Sequence, residues 1–74
     1  MRWRENAKKL LGKRMLLRDR KTGLITEVTV VKVSPSGRYV KLAPFPTWKS
    51  TEELEEEYDF LEILGEEKKE RVAE

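Results

Sequence analysis

The chain has 74 residues, 41% of them charged, and it contains neither Cys nor His. This composition excludes disulfides and metal sites built from Cys or His, and it lacks several of the usual nucleophiles and bases of enzymes. We therefore expect one small domain that is not an enzyme and holds no cofactor and no metal.

The same composition predicts where the protein works. The first residues, MRWRENAKK, are charged throughout, and no apolar run approaches the ~20 residues of a membrane helix. The expectation is a cytoplasmic protein without membrane contact.

The chain is rich in Lys, Arg and Glu, and it has no Gln and a single Asn, Asn6. That profile is typical of hyperthermophile proteins and predicts a thermophile as the source.

Charge is divided unevenly along the chain. Residues 1–41 carry twelve Lys and Arg against three Asp and Glu, a net charge of +9. Residues 42–74 carry four against eleven, a net charge of −7. This split indicates either a basic surface for a partner or two halves that neutralise each other across the fold.

The N-terminal segment is predicted to be an amphipathic helix. Its apolar residues fall at i, i+4, i+7 and i+8, the spacing of one helical stripe; they are Trp3, Ala7, Leu10 and Leu11. Gly12 stands where a C′ glycine would end the helix. The stripe is expected to pack on the body of the domain, because a helix this short needs tertiary contacts.

The first predicted strand and loop follow this helix. Residues 14–18 read as a short strand with Met15 and Leu17 on one face. Asp19 then begins a polar loop that ends at Gly23, since an Asp side chain suits the start of a turn.

A β-hairpin is the strongest signal in the chain. Two runs rich in β-branched residues, 24–33 and 39–43, flank the turn SPSG at 34–37. The alternation of the first run changes parity, which indicates a β-bulge, a sharp bend or burial on both faces. Gly37 is expected at φ > 0, because closing such a turn requires that conformation.

The last third of the chain contains a helix between two strands. Ser50 and Glu53 match a capping box and predict the start of a helix. Residues 66–74 are almost wholly charged, which predicts a frayed or disordered tail. The predicted elements are a short edge strand at 47–49, a helix at 51–57 and a closing strand at 59–64.

This order of elements resembles the SH3-like small β-barrels, the group that includes Tudor- and KOW-type domains. The resemblance is carried by residues 12–17, 26–33, 34–37, 39–42, Trp48 and 60–64. It implies a mainly β (β-rich α+β) domain over residues 1–65, a five-stranded SH3-like barrel with an N-terminal amphipathic helix and a short helix before the last strand. Domains of this kind bind RNA, DNA, ribosomal components or peptides, so the fold does not fix the partner.

Cations and aromatic residues predict a nucleic-acid-binding surface. Cations on neighbouring strands neutralise phosphates, and rings between them stack on unpaired bases; the candidate rings are Tyr39, Phe45 and Trp48. The competing interpretation places the rings in the core, and we expect this for Trp48 and Phe60. The candidate nucleic-acid-binding residues are Arg18, Arg20, Lys21, Lys32, Arg38, Lys41 and Phe45.

Two functions remain open from the sequence. The first is a nucleic-acid-binding module for DNA or RNA. The second is a protein-interaction module or small regulator, of the kind that viruses and plasmids encode, which uses its acidic helix or a hydrophobic edge. The carboxylates of residues 52–59 match no calcium loop and are expected to form a solvated helix face.

Overall fold

A computed structural model describes residues 2–66. Its five strands form one antiparallel sheet in the order β4-β3-β2-β1-β5. In chain order the elements are α1 (Trp3–Asn6), a 3₁₀ turn (Ala7–Leu10), β1 (Lys13–Asp19), β2 (Ile25–Val33), β3 (Tyr39–Ala43), β4 (Trp48–Ser50), α2 (Thr51–Glu57) and β5 (Tyr58–Glu66). The mainly β domain with an N-terminal helix and a short helix before the last strand is confirmed.

The sheet is not closed, and the predicted barrel is wrong in this respect. β4 and β5 are the two edges of the sheet, and no pairing joins them within residues 2–66. β4 has only three residues, and α2 follows it at once and leads directly into β5. The connection through α2 therefore joins the two edge strands in the chain without pairing them in the sheet.

The core lies on one face of the sheet. Alternate residues of β1, β2 and β3 point into it, and the N-terminal segment and α2 add their apolar residues from above. The buried apolar residues are Trp3, Ala7, Leu10, Met15, Leu17, Val28, Val30, Val40, Leu42 and Leu54. The opposite face of the sheet, called the outer face below, carries the side chains between them.

The predicted N-terminal helix is shorter and more irregular than its spacing suggests. It is α-helical to Asn6 and continues as a 3₁₀ turn, in which residues three apart lie on the same side. Ala7 and Leu10 are therefore both buried, whereas Leu11 has left the helix (ψ 129°) and is 53% exposed. The expectation that Leu11 packs with the stripe is wrong, while Gly12 ends the segment as predicted, with φ 84°.

The central hairpin has the predicted turn and the predicted irregularity. Gly37 adopts φ 77°, and its amide donates to the Ser34 carbonyl at 2.9 Å. The register of β2 against β3 shifts by one residue between Val30 and Lys32, which is a β-bulge. The parity change in the sequence thus marks a real insertion in the ladder.

The capping box is also confirmed at the start of α2. The Ser50 hydroxyl accepts from the Glu53 amide at 3.0 Å, and the Ser50 amide donates to Glu53 Oε1 at 3.4 Å. Leu54 then faces the core. The tail predicted at 66–74 begins with Glu66, which is the last residue of β5. Its remaining residues, 67–74, lie outside the described residues.

Candidate nucleic-acid interface

The β2 bulge decides which side chains reach the outer face near the hairpin turn. Val30 is opposite Leu42 and faces the core; strict alternation from there would turn Lys32 inward and Val33 outward. The extra residue, Val31, reverses this order. Lys32 consequently lies opposite Lys41 on the outer face, and Val33 lies opposite the buried Val40 and packs against the core.

Four outer-face side chains form the candidate surface, called the lysine–aromatic patch: Lys32, Tyr39, Lys41 and Trp48. Lys41 is opposite Lys32 on one side and opposite Trp48 on the other. Directly opposite residues have Cβ atoms about 4.5–5.5 Å apart, and diagonal neighbours such as Tyr39 and Trp48 are about 7–8 Å apart. Tyr39 and Trp48 are 48% and 45% exposed.

Carboxylates do not neutralise this patch within residues 2–66. Ion pairs in that part of the chain include those of Arg2, Arg14, Arg18, Arg20 and Lys49. Neither Lys32 nor Lys41 takes part in one, and neither does Arg38 in the adjoining turn. The Lys41 ammonium makes one long contact, 3.5 Å, to the Pro46 carbonyl. Among the described residues, nothing therefore offsets the positive charge of the patch.

Arg18 and Arg20 have a different environment from the lysines. Arg18 donates to one oxygen of Asp59 at 3.1 Å, and Arg20 donates to the other at 2.8 Å. Arg20 also donates to the Glu56 carbonyl at 3.0 Å. The two guanidinium groups thus hold the start of β5 against β1, with a carboxylate between them.

The hydrogen bonds from Arg20 and Arg18 hold the pKa of Asp59 below its ordinary value. A carboxylate with a lowered folded-state pKa stabilises the fold above its unfolded pKa of about 3.9, and this stabilisation is lost as pH falls through the folded pKa. Asp59→Asn should therefore lower the melting temperature at neutral pH, by an amount that shrinks steadily as the pH is lowered from about 5 toward 2. Thermal unfolding of both proteins across this range measures it, and a pH-independent difference would contradict it.

The predicted cations do not all belong to one surface. Arg18 is opposite Ile25 at the start of β2, whereas Lys32 is near its end, seven residues later. At about 3.3 Å per residue the two positions are about 20 Å apart. Lys21 lies in the exposed β1–β2 loop beside Arg18 and Arg20. The structure places Lys32 and Lys41 opposite each other, with Arg38 in the adjoining turn, and leaves Arg18, Arg20 and Lys21 at the far end of the sheet.

Phe45 is not on the lysine–aromatic patch. Its ring lies 5.9 Å from the ring of Tyr58 and packs against the core, and the Lys49 ammonium lies 5.3 Å from its centroid. Phe60 is partly buried against the core as expected. Trp48, expected in the core, is instead exposed on the outer face, because its register opposite Lys41 turns it away from Val40 and Leu42.

The described part of the chain offers no metal site and no membrane-spanning helix. Within residues 2–66, no three acidic side chains are grouped as metal ligands, and neither helix is long and apolar enough to cross a membrane. Comparisons with protein-family models, with curated proteins and with solved structures found no match to this chain.

Proposed function

We propose that this protein is a small, non-enzymatic binding module for single-stranded nucleic acid, and that the strand crosses the lysine–aromatic patch. The observation that carries the proposal is the exposure of two aromatic rings beside two lysines that no described carboxylate neutralises. Bases stack on such rings, and lysines neutralise the phosphates between them.

An unpaired strand fits this surface better than a duplex. Tyr39 and Trp48 are diagonal neighbours on a sheet face, which suits the stacking of successive unpaired bases. In a duplex the bases are already stacked on each other, and rings on a sheet face gain nothing from them. Stacking is sequence-tolerant, because every base offers a π-face, so the module is expected to bind with little sequence preference.

The fold is consistent with this proposal. The observed order is short strand, polar loop, bulged long strand, tight hairpin, strand, short Trp-containing strand, helix and closing strand. It is the order on which the resemblance to SH3-like, Tudor- and KOW-type modules is based. We retain that relationship as part of the proposal, with an open sheet in place of a closed barrel. Nucleic acid is among the partners of such modules, although the fold alone does not select it.

A fluorescence-anisotropy titration with labelled oligothymidylate and oligouridylate tests the function. We expect Kd values of about 1–100 µM near physiological salt. If Lys32, Lys41 and Arg38 each neutralise one phosphate, log K should fall against log salt with a slope of about −2, since each contact contributes about −0.7 on a single strand. Replacing Lys32 and Lys41 together by Ala should weaken binding and flatten the slope by about 1.4.

Lys21→Ala is the matched control for Lys32→Ala and Lys41→Ala, the two single variants of that pair. It removes the same charge from an exposed loop at the far end of the sheet. We expect its affinity and salt slope to remain close to those of the unmodified protein, and an equal loss at Lys21 would mean that only net charge matters. Absence of binding to any DNA or RNA at about 100 µM protein would refute the proposal.

A second candidate function is protein binding at the free edge of β5. That edge has no strand beside it within residues 2–66, and Leu61 and Ile63 are 38% and 47% exposed on it. An extended peptide adds to such an edge as a further strand. The two bulges in β5 discourage this pairing, which places the candidate second. It becomes the leading one if no nucleic acid binds.

A further inference from the structure

A small cleft opens beside Tyr39, between the N-terminal helix, the end of the hairpin turn and the start of α2. Its volume is about 60 Å³, and it is lined by Arg4, Arg38, Tyr39, Ser50, Thr51 and Glu52. One water molecule needs a cavity of about 10–15 Å³, so the cleft has room for about four to six water-sized atoms. The four oxygens of a phosphate group have that size.

The packing of α1 on the hairpin turn brings two arginines to this cleft. A Cβ atom at Gly37 would lie 3.5 Å from the Arg4 carbonyl oxygen, so the turn and the helix are in close contact. On the other side, the Thr51 amide donates to the Arg38 carbonyl at 2.8 Å and fixes the turn against the start of α2. Arg4 and Arg38 are therefore held on adjoining walls by elements far apart in sequence.

The cleft has a positive balance of charge. Neither Arg4 nor Arg38 forms an ion pair within the described residues, while the nearby Glu5 carboxylate pairs with Arg2 and the Glu55 carboxylate accepts from the Trp3 amide. Among the described residues, Glu52 is the acidic side chain that lines it. Ser50 accepts from the Glu53 amide, and its own hydroxyl proton is free to be donated.

We propose that Arg4 and Arg38 form a phosphate-binding subsite at the end of the lysine–aromatic patch. The subsite takes the phosphate next to the nucleotide whose base stacks on Tyr39, because Tyr39 belongs to the patch and also lines the cleft. Planar guanidinium groups suit this ligand, since they bind phosphate oxygens in pairs. The inference rests on the function proposed above, and it adds a preferred position for one phosphate.

Oligothymidylates that differ only in their terminal phosphates test the subsite. A four-nucleotide strand is prepared with a 5′-phosphate, with a 3′-phosphate and with neither, and a twelve-nucleotide strand supplies internal phosphates. We expect one terminal phosphate to raise the affinity of the short strand about fivefold, and Arg4→Ala to remove this gain. If Arg4→Ala lowers the affinity for the twelve-nucleotide strand equally with and without a terminal phosphate, the subsite binds an internal phosphate.

Arg2→Ala is the matched control, because Arg2 is on the same segment but pairs with Glu5 and does not line this cleft. The Arg2→Ala variant should keep the gain in affinity from the terminal phosphate. The Lys32 and Lys41 double variant should bind more weakly overall but should also keep this gain. If oligonucleotides bind but Arg4→Ala and Arg38→Ala behave like Arg2→Ala with every strand, the subsite is refuted and the proposed function stands. If no strand binds the unmodified protein, both are refuted.

Discussion

Replacing Trp3 by Ala is expected to lower the free energy of unfolding by about 3–5 kcal/mol, the usual cost of removing a buried Trp. The side chain is 2% exposed and is the largest in the core. A domain of this size has a total stability of roughly 4–11 kcal/mol, so the expected loss is a large part of the total. Urea denaturation followed by far-UV circular dichroism measures the change.

Leu11→Ala is the control for this experiment. It removes an apolar side chain from the same segment, but Leu11 is 53% exposed, and the expected loss is within about 0.5 kcal/mol. The Trp3 amide donates to Glu55 Oε2 at 2.6 Å, and Ala at this position keeps that donor. A loss at Trp3 below about 1 kcal/mol would therefore mean that the N-terminal segment contributes little to the core.

Much of the fold is predictable because its signals are local. The Ser50–Glu53 capping box, the turn at 34–37 and the parity change before Lys32 each depend on a few adjacent residues. A capping residue bonds to an amide three positions away, and a turn glycine is needed where φ is positive. These elements consequently appear in the structure close to where the sequence places them.

The errors arise where distant contacts decide the outcome. Periodicity places Leu11 on the apolar stripe, but the change from α to 3₁₀ geometry after Asn6 depends on how the segment packs. The number of strands is correct, yet closure of the sheet depends on whether its edges meet, and α2 lies between them in the chain. Local pattern carries little information about either contact.

The candidate site shows the same limit more strongly. In the sequence, Arg18 and Lys32 are equally good candidates for binding a phosphate. In the structure, Arg18 forms an ion pair with Asp59, which is 41 residues away in the chain. Only the pairing of β1 with β5 brings these side chains together. The sequence thus identifies the cations. Only the three-dimensional structure shows which of them are paired with a described carboxylate and which are not.

Trp48 offers the sharpest test of the lysine–aromatic patch. Alanine replacement of a ring that stacks on a base costs about 1–3 kcal/mol, so Trp48→Ala should weaken oligonucleotide binding about 5- to 150-fold. Trp48 is 45% exposed on a three-residue edge strand, and its removal creates no core cavity. We therefore expect the loss of affinity to be much larger than the loss of stability, which anisotropy titration and thermal unfolding of the same sample compare.

Intrinsic fluorescence locates the base on this ring. The chain has two Trp residues, and Trp3 is buried while Trp48 is exposed. Stacking should quench the emission of Trp48, and the Trp48→Phe variant should lose that quenching but keep part of the affinity, since Phe retains a ring. Ile63→Ala removes an equally exposed apolar side chain from the opposite edge and should bind normally. Unchanged affinity in Trp48→Ala, or quenching that persists in Trp48→Phe, would show that bases do not stack on Trp48.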